Sequence, residues 1–193
     1  MELSIDTSTS EASIALSEKG TVRADLSWRT ARNHTRELIP NILRLLGGQG
    51  IRPADLRALA VAIGPGSFNG LRVGIATAKG LAFALRLPLV GVGTLELIAR
   101  PYAVYGLPVC AILPMGPVEV AAAVFIPQGE RFTKAMEEHL TSIAHLCARI
   151  PGKTVFCGDI RPEDRTLVRE MLGPAAVFPE ASPVRSRAAY LAE

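Results

Sequence analysis

The sequence has few of the residues that cross-link small secreted proteins or hold metals. Its 193 residues include three cysteines and three histidines. The cysteines are odd in number, form no Cys-x-x-Cys pair and lie in apolar surroundings, which predicts reduced, buried thiols in a cytoplasmic protein; they are Cys110, Cys147 and Cys157. The histidines show no metal-ligand pairing at helical spacing; they are His34, His139 and His145. We expect no disulfide and no metal site.

The sequence also lacks a basic run, a secretion signal and an unbroken membrane span. Its net charge is only +3 and its lysines and arginines are scattered, which gives little support to direct nucleic-acid binding. The uncharged stretch 101–118 holds prolines and glycines that would break a membrane helix. With 49% hydrophobic and 20% charged residues, the composition is typical of a folded protein. We expect a cytoplasmic protein, and any contact with RNA is expected to go through a partner.

Two similar series of strands and helices follow one another along the chain. In the first half, residue periodicity predicts strands over 2–6, 11–17, 21–28, 58–63 and 89–92, with helices over 35–47, over 69–85 and from residue 94. In the second half it predicts strands over 108–113, 118–126 and 154–157, with helices over 138–150 and 162–172. A third strand is missing from this copy unless residues near Arg131 supply one. The repetition predicts two related α/β lobes, residues 1–103 and a shortened second lobe over 104–193.

A glycine turn separates the strand over 58–63 from the helix over 69–85. Glycines at Gly64 and Gly66 allow backbone N–H groups to approach a ligand closely, and a helix N-terminus adds partial positive charge. This local geometry suits a phosphate or a carboxylate. The alternative is a tight strand-to-helix connection that serves packing alone. The turn is neither a Walker loop nor a dinucleotide fingerprint, because no Gly-Lys-Ser/Thr follows and the glycine spacing differs.

Three motifs in order resemble the TsaB (YeaZ) family. They are Asp-Thr-Ser-Thr at 6–9, Gly-Pro-Gly-Ser-Phe at 64–68 and Leu-Pro-Leu-Val-Gly-Val-Gly-Thr-Leu at 87–95. The resemblance is strong to about residue 100 and loose beyond. It implies a two-lobed α/β fold like that of actin, sugar kinases and the Hsp70 ATPase. It also implies a non-catalytic subunit that assists a catalytic TsaD and an ATPase, TsaE, in adding threonylcarbamoyl to tRNA adenosine.

The residues at the phosphate-binding and metal-binding positions of this fold argue against catalysis by the chain alone. Enzymes of this fold hold phosphate and magnesium between two hairpins, usually with an acidic residue in each lobe. Asp6 fits the first position, whereas residues 113–117 (Leu-Pro-Met-Gly-Pro) offer no carboxylate or hydroxyl at the second. Two metal-binding histidines of the catalytic relatives correspond here to Thr94 and Ile98, which predicts no metal. We expect no cofactor on this chain alone, while ATP is possible at the level of the complex. The rival is an enzyme of the same fold, a small-molecule kinase or metallopeptidase.

Vestiges of a phosphate site are expected at the first two motifs: Asp6, Thr7, Ser8, Thr9, Gly64, Gly66 and Ser67. Asp6 and the hydroxyls after it have a second interpretation, because such side chains also stabilise turns through local hydrogen bonds. His34 precedes the first helix, where it is either a catalytic base or a packing residue at the helix flank. The flank role is the simpler prediction, because no nucleophile with an orienting acid can be assembled around it from the sequence.

A stripe of small residues runs along the helix over 69–85 at intervals of four. Such a stripe lets another helix come close, either the helix over 35–47 in the same lobe or a partner's helices. The resemblance implies that these two helices join TsaD or, without it, a second copy of the chain. The expected partner surface consists of small and apolar side chains on both helices: Gly70, Leu71, Gly74, Ile75, Ala78, Ala82, Leu38, Ile42 and Leu45.

Overall fold

The chain folds into two compact α/β units, each built on a five-stranded sheet. The computed structural model describes residues 1–30, 33–129, 131–150, 152–180 and 185–191. The first unit comprises Met1–Leu97 with the C-terminal residues 185–191, and the second comprises residues 98–180. The division therefore comes before the boundary expected after residue 103. The described C-terminal residues also belong to the first unit, because they pack on its sheet.

The first unit has the strand order β3-β2-β1-β4-β5. Its strands are β1 (Glu2–Asp6), β2 (Glu11–Glu18), β3 (Thr21–Arg29), β4 (Ala58–Ala62) and β5 (Leu89–Val92). β1 to β3 form an antiparallel meander, and β4 and β5 continue the sheet parallel to β1. Its helical segments are α1 (His34–Gly48), a 3-10 turn (Pro53–Asp55), α2 (Phe68–Leu85) and α3 (Thr94–Ala99), which ends in the second unit.

The second unit repeats this topology, with the strand order β10-β9-β6-β7-β8. Its strands are β6 (Val109–Pro114), β7 (Val120–Gln128), β8 (Arg131–Thr141), β9 (Thr154–Gly158) and β10 (Ala176–Val177). Its further helical segments are α4 (Ile143–Cys147), α5 (Pro162–Leu172) and 3-10 turns at Arg100–Tyr105 and Gly173–Ala175. In each unit a meander is followed by helix, strand, helix and strand, so the repeated α/β order expected from the sequence is confirmed. A last short helix, α6 (Arg187–Tyr190), lies on the first unit.

The helix predicted over 138–150 is wrong in its first part. Residues 138–141 continue the edge strand β8, where His139 lies opposite Ala122 and Leu140 opposite Ala121 of β7. The helix is confined to α4, whose N-terminus is capped by Ser142, since its hydroxyl accepts the His145 backbone N–H. Pairing along β7 outweighs the local helical pattern, because strand formation depends on cross-strand neighbours that periodicity does not contain. β8 is also the third meander strand that the sequence left in doubt.

Helices α1 and α2 cover one hydrophobic face of the first sheet. The core joins apolar side chains of the strands to those of the helices: Leu3, Ile5, Ile14, Leu16, Leu38, Ile42, Leu46, Leu59, Val61 and Ala78. Leu38 and Ile42 of α1, expected on a partner surface, are therefore core residues of the unit itself. Of the helices in the described part of the chain, none is long and apolar enough to cross a membrane.

Candidate functional site

The carboxylate of Asp6 stabilises the turn that follows β1. Asp6 is 0% exposed, and its Oδ1 accepts hydrogen bonds from the Ser8 backbone N–H at 2.8 Å and from the Ser8 hydroxyl at 2.6 Å. These are the local hydrogen bonds of an Asx turn, which hold the chain as it leaves the sheet. Oδ1 of Asp6 thus has the turn-stabilising role that was the second interpretation of the sequence.

The other oxygen of Asp6 accepts a hydrogen bond from an arginine near the C-terminus. Arg187 Nε donates to Asp6 Oδ2 at 2.6 Å, and Arg187 Nη2 donates to Thr9 Oγ1 at 2.6 Å and to the carbonyl of Glu11. The guanidinium therefore neutralises the buried carboxylate and covers the polar turn. The sequence did not predict this contact, because 181 positions separate the two residues and no local pattern links them.

The glycine turn between β4 and α2 packs directly on the Asp6 turn. The Ser67 backbone N–H donates to the Ser8 carbonyl at 2.7 Å, and a Cβ placed on Gly66 would lie 2.2 Å from that same oxygen. The Ser67 hydroxyl caps α2 by accepting the Gly70 N–H at 3.3 Å. The Gly64 carbonyl accepts the Thr94 N–H at 2.7 Å. The first two motifs thus meet in space, and the close backbone approach that the glycines permit is used within the unit.

The small-residue stripe of α2 faces the same turn. A Cβ placed on Gly70 would lie 2.1 Å from the Thr7 carbonyl oxygen, and one on Gly74 would lie 2.2 Å from Thr7 Oγ1. The Thr7 hydroxyl donates to the Gly70 carbonyl at 2.8 Å. Gly70, Gly74 and Ala78 are buried within the unit, so their expected place on a partner surface is wrong. The closest neighbour of both glycines is the chain at Thr7, and His34 at the start of α1 also lies beside Gly70. Ala78 belongs to the same hydrophobic core as Leu38 and Ile42 of α1, the helix in the same lobe that the sequence offered as a neighbour.

His34 packs at the flank of α1 and of the first turn of α2. The residue is buried, and its Nε2 would lie 3.1 Å from a Cβ placed on Gly70. Burial lowers the pKa of His34, against the opposing charges of Glu37 and Asp6. The imidazole is therefore neutral at physiological pH, which agrees with a packing role.

The outward faces of α1 and α2 expose large apolar side chains. They are Ile39 (41% exposed), Leu43 (54%), Phe68 (73%) and Phe83 (88%). An open groove of about 1040 Å³ borders this surface, lined by His34 and Thr35 at the start of α1 and by Arg72, Val73 and Ala76 of α2, among others. Four other residues of the expected partner surface are only partly buried: Leu45, Leu71, Ile75 and Ala82.

The corresponding hairpin turn of the second unit is also tied to an arginine. Arg161, which precedes α5, donates from Nη1 to the Gly116 carbonyl at 3.2 Å and to the Pro117 carbonyl, and from Nε to Asp164 Oδ2 at 2.5 Å. Thr94 and Ile98, which the family resemblance placed at the two histidine positions, are buried. The described residues contain no group of three or more His, Cys, Asp and Glu side chains that could hold a metal ion.

Comparison with known proteins identifies the family. A family model described as "TsaD: tRNA N6-adenosine threonylcarbamoyltransferase" matches residues 28–157, more than half of the chain. The tRNA threonylcarbamoyladenosine biosynthesis protein TsaB of Escherichia coli strain K12 is 43% identical over 98 residues. The chain belongs to the TsaB (YeaZ) family. The match to this TsaB covers 51% of the chain and 42% of the relative, so less than half of the relative's length is matched.

Solved structures extend the likeness to TsaB beyond the aligned half. YeaZ from Pseudomonas aeruginosa superposes with a TM-score of 0.81 at 26% identity, covering 99% of this chain and 89% of that one. The ethanolamine utilization protein EutJ from Carboxydothermus hydrogenoformans shares the fold alone, with a TM-score of 0.52 at 12% identity. The TsaB family and its actin-like α/β fold, both expected from the motifs, are thereby confirmed.

Proposed function

We propose that this chain is a non-catalytic subunit of the cytoplasmic machinery that adds threonylcarbamoyl to tRNA adenosine. The observation that carries this proposal is the environment of Asp6, the acidic side chain at the position where enzymes of this fold hold phosphate-bound magnesium. It is fully buried, and both its oxygens accept hydrogen bonds from Ser8 or Arg187. A carboxylate already neutralised by a guanidinium has little capacity left for a cation.

The second unit supports the same conclusion independently. Residues 113–117 of its hairpin contain no carboxylate, the Gly116 and Pro117 carbonyls accept hydrogen bonds from Arg161, and the acidic residue of the turn, Glu119, is exposed. A phosphate or its magnesium ion needs N–H donors or acidic oxygens. Each unit thus has an arginine of its own bonded at the turn where enzymes of this fold bind phosphate. The kinase and metallopeptidase alternatives receive no support from either turn.

The partner in this proposal is a TsaD-type catalytic subunit bound to the outward faces of α1 and α2. Phe68 and Phe83 are strongly exposed on α2, and Ile39 and Leu43 are exposed on α1, which is typical of an interaction surface rather than of scattered surface residues. The buried residues Gly70, Gly74, Ala78, Leu38 and Ile42 then act from within, by setting how α1 and α2 lie on the sheet. A TsaE-type ATPase joins through the complex, and a second copy covers the same surface when the catalytic subunit is absent.

Titration calorimetry with the TsaD relative of the same organism tests the surface. Phe83→Glu places an unpaired carboxylate in the proposed apolar contact, which costs on the order of 3–5 kcal/mol. Because 1.4 kcal/mol is about a factor of ten, the affinity falls roughly a hundredfold or more. Leu43→Glu has the same effect from α1. The matched control is Val104→Glu, since Val104 is 86% exposed in the second unit.

Light scattering supplies the second arm. The wild-type chain alone is expected to be a dimer, and Phe83→Glu a folded monomer with an unchanged circular dichroism spectrum. Wild-type affinity in both the Phe83→Glu and the Leu43→Glu variants would exclude this face as the binding site for TsaD. Loss of binding in Val104→Glu as well would show that the effect is not specific to α1 and α2.

A further inference from the structure

The C-terminal residues 185–191 form a separate structural feature on the first unit. Ala188 and Ala189 of α6 are fully buried and pack with Ala15 of β2. The Ala188 N–H donates to the Ser13 hydroxyl at 3.1 Å, and the Ser186 N–H donates to Asp25 Oδ2 at 3.0 Å. Apolar and polar contacts therefore join this segment to the meander of the first sheet.

Arg187 lies between these contacts and points at the Asp6 turn. Its side chain is 22% exposed, whereas that of Asp6 is 0% exposed. Two guanidinium nitrogens donate to three acceptors: Asp6 Oδ2, Thr9 Oγ1 and the Glu11 carbonyl. A buried carboxylate without a counter-charge is strongly destabilising. Arg187 therefore stabilises buried Asp6, and Asp6 in turn holds the segment that carries Arg187.

We propose that Asp6 is the anchor of a C-terminal latch, in which Arg187 takes the place of a cation beside the carboxylate and holds residues 185–191 on the sheet. In this chain the acidic residue at the end of β1 then has a conformational role rather than a ligand-binding one. The latch involves the first unit alone. It therefore depends on no partner of the chain.

Hydrogen exchange measured by mass spectrometry on the full chain tests the latch. The variants are Asp6→Asn, Arg187→Met and the double variant, both substitutions being close in shape to the native side chains. Each single substitution is expected to speed exchange of the Ala188 and Ala189 amides by about tenfold or more. The double variant is expected to exchange no faster than the faster single, because either substitution already breaks the same contact.

The matched control is Arg23→Met, which removes an ion pair of 2.8 Å between Arg23 and Glu18, both exposed on the same sheet. It is expected to leave exchange at Ala188 and Ala189 unchanged. Exchange in the core of α1 reports on the integrity of the whole unit and stays slow in Arg187→Met.

Three outcomes would overturn the proposal. The first is exchange at Ala188 and Ala189 within twofold of wild type in Arg187→Met, which would mean that apolar packing alone holds the segment. The second is additive acceleration in the double variant, which would mean that Asp6 and Arg187 act separately. The third is a matching loss of protection in α1 of Arg187→Met, which would make the arginine a general stabiliser of the unit. Binding of the TsaD relative is measured separately and decides none of these.

Discussion

Alanine substitutions at two glycines of α2 test whether the small-residue stripe serves packing within the unit. A Cβ placed on Gly74 would lie 2.2 Å from Thr7 Oγ1 and 3.4 Å from Thr7 Cβ, whereas one on Gly80 would meet nothing within 4 Å. Both positions are in the interior of the same helix. The pair therefore separates the helix-forming preference of alanine, which is common to both, from the clash, which occurs only at Gly74.

The expected changes in the free energy of unfolding, relative to the wild-type chain, differ in sign between the two variants. Alanine in place of glycine stabilises a helix interior by about 1 kcal/mol, so Gly80→Ala stabilises the first unit by roughly that amount. At Gly74 overpacking costs about 1–3 kcal/mol. Rotation of Thr7 away from the new methyl group breaks its bond to the Gly70 carbonyl, which costs about 1 kcal/mol more. The two variants therefore differ by roughly 2–4 kcal/mol, with Gly74→Ala the less stable.

Tryptophan fluorescence during urea unfolding measures this difference in the first unit. The chain has one tryptophan, Trp28, whose indole N–H donates to Glu37 Oε2 of α1 at 3.1 Å, so its emission reports on the packing of β3 and α1. If Gly74→Ala were as stable as Gly80→Ala, the stripe would not be packed against Thr7 and the reasoning would fail.

Two further properties follow from buried ionisable groups. Burial lowers the pKa of His34 below its ordinary 6.5, so the unfolded chain binds this proton more readily and the free energy of unfolding falls as the pH drops below about 6.5. Urea titrations at pH 7.5 and 5.5 measure this fall, and His34→Gln is expected to make it smaller. An equal fall in His34→Gln and wild type would contradict the prediction. Burial raises the thiol pKa of Cys110, Cys147 and Cys157. Iodoacetamide is therefore expected to leave the native chain unmodified and to label three thiols after denaturation, which mass spectrometry measures. Labelling of the native chain, or a disulfide, would refute the prediction.

Local periodicity predicted most of the secondary structure, because helices and strands on a core leave a repeating pattern of apolar side chains. The predicted helix over 69–85 differs from α2 by one residue, and the strand over 89–92 coincides with β5. The pattern failed at 138–141, where the partner strand β7 decides the conformation. The motifs around Asp6 and Gly66 identified the family, since their order along the chain is a property of the sequence itself.

The role of those motifs depended on contacts that the sequence order does not contain. The spacing of Gly70 and Gly74 shows that one face of α2 is bare, but the neighbour of that face is Thr7, which only the folding of β1 against α2 places there. In the sequence, Asp6 fits either a ligand or a turn residue. Its hydrogen bond with Arg187, from a distant part of the chain, favours the turn role. Residue type and spacing determine most of the elements and the face that each of them buries. The partner of a buried charge depends on which distant segments meet, and so only on the tertiary structure.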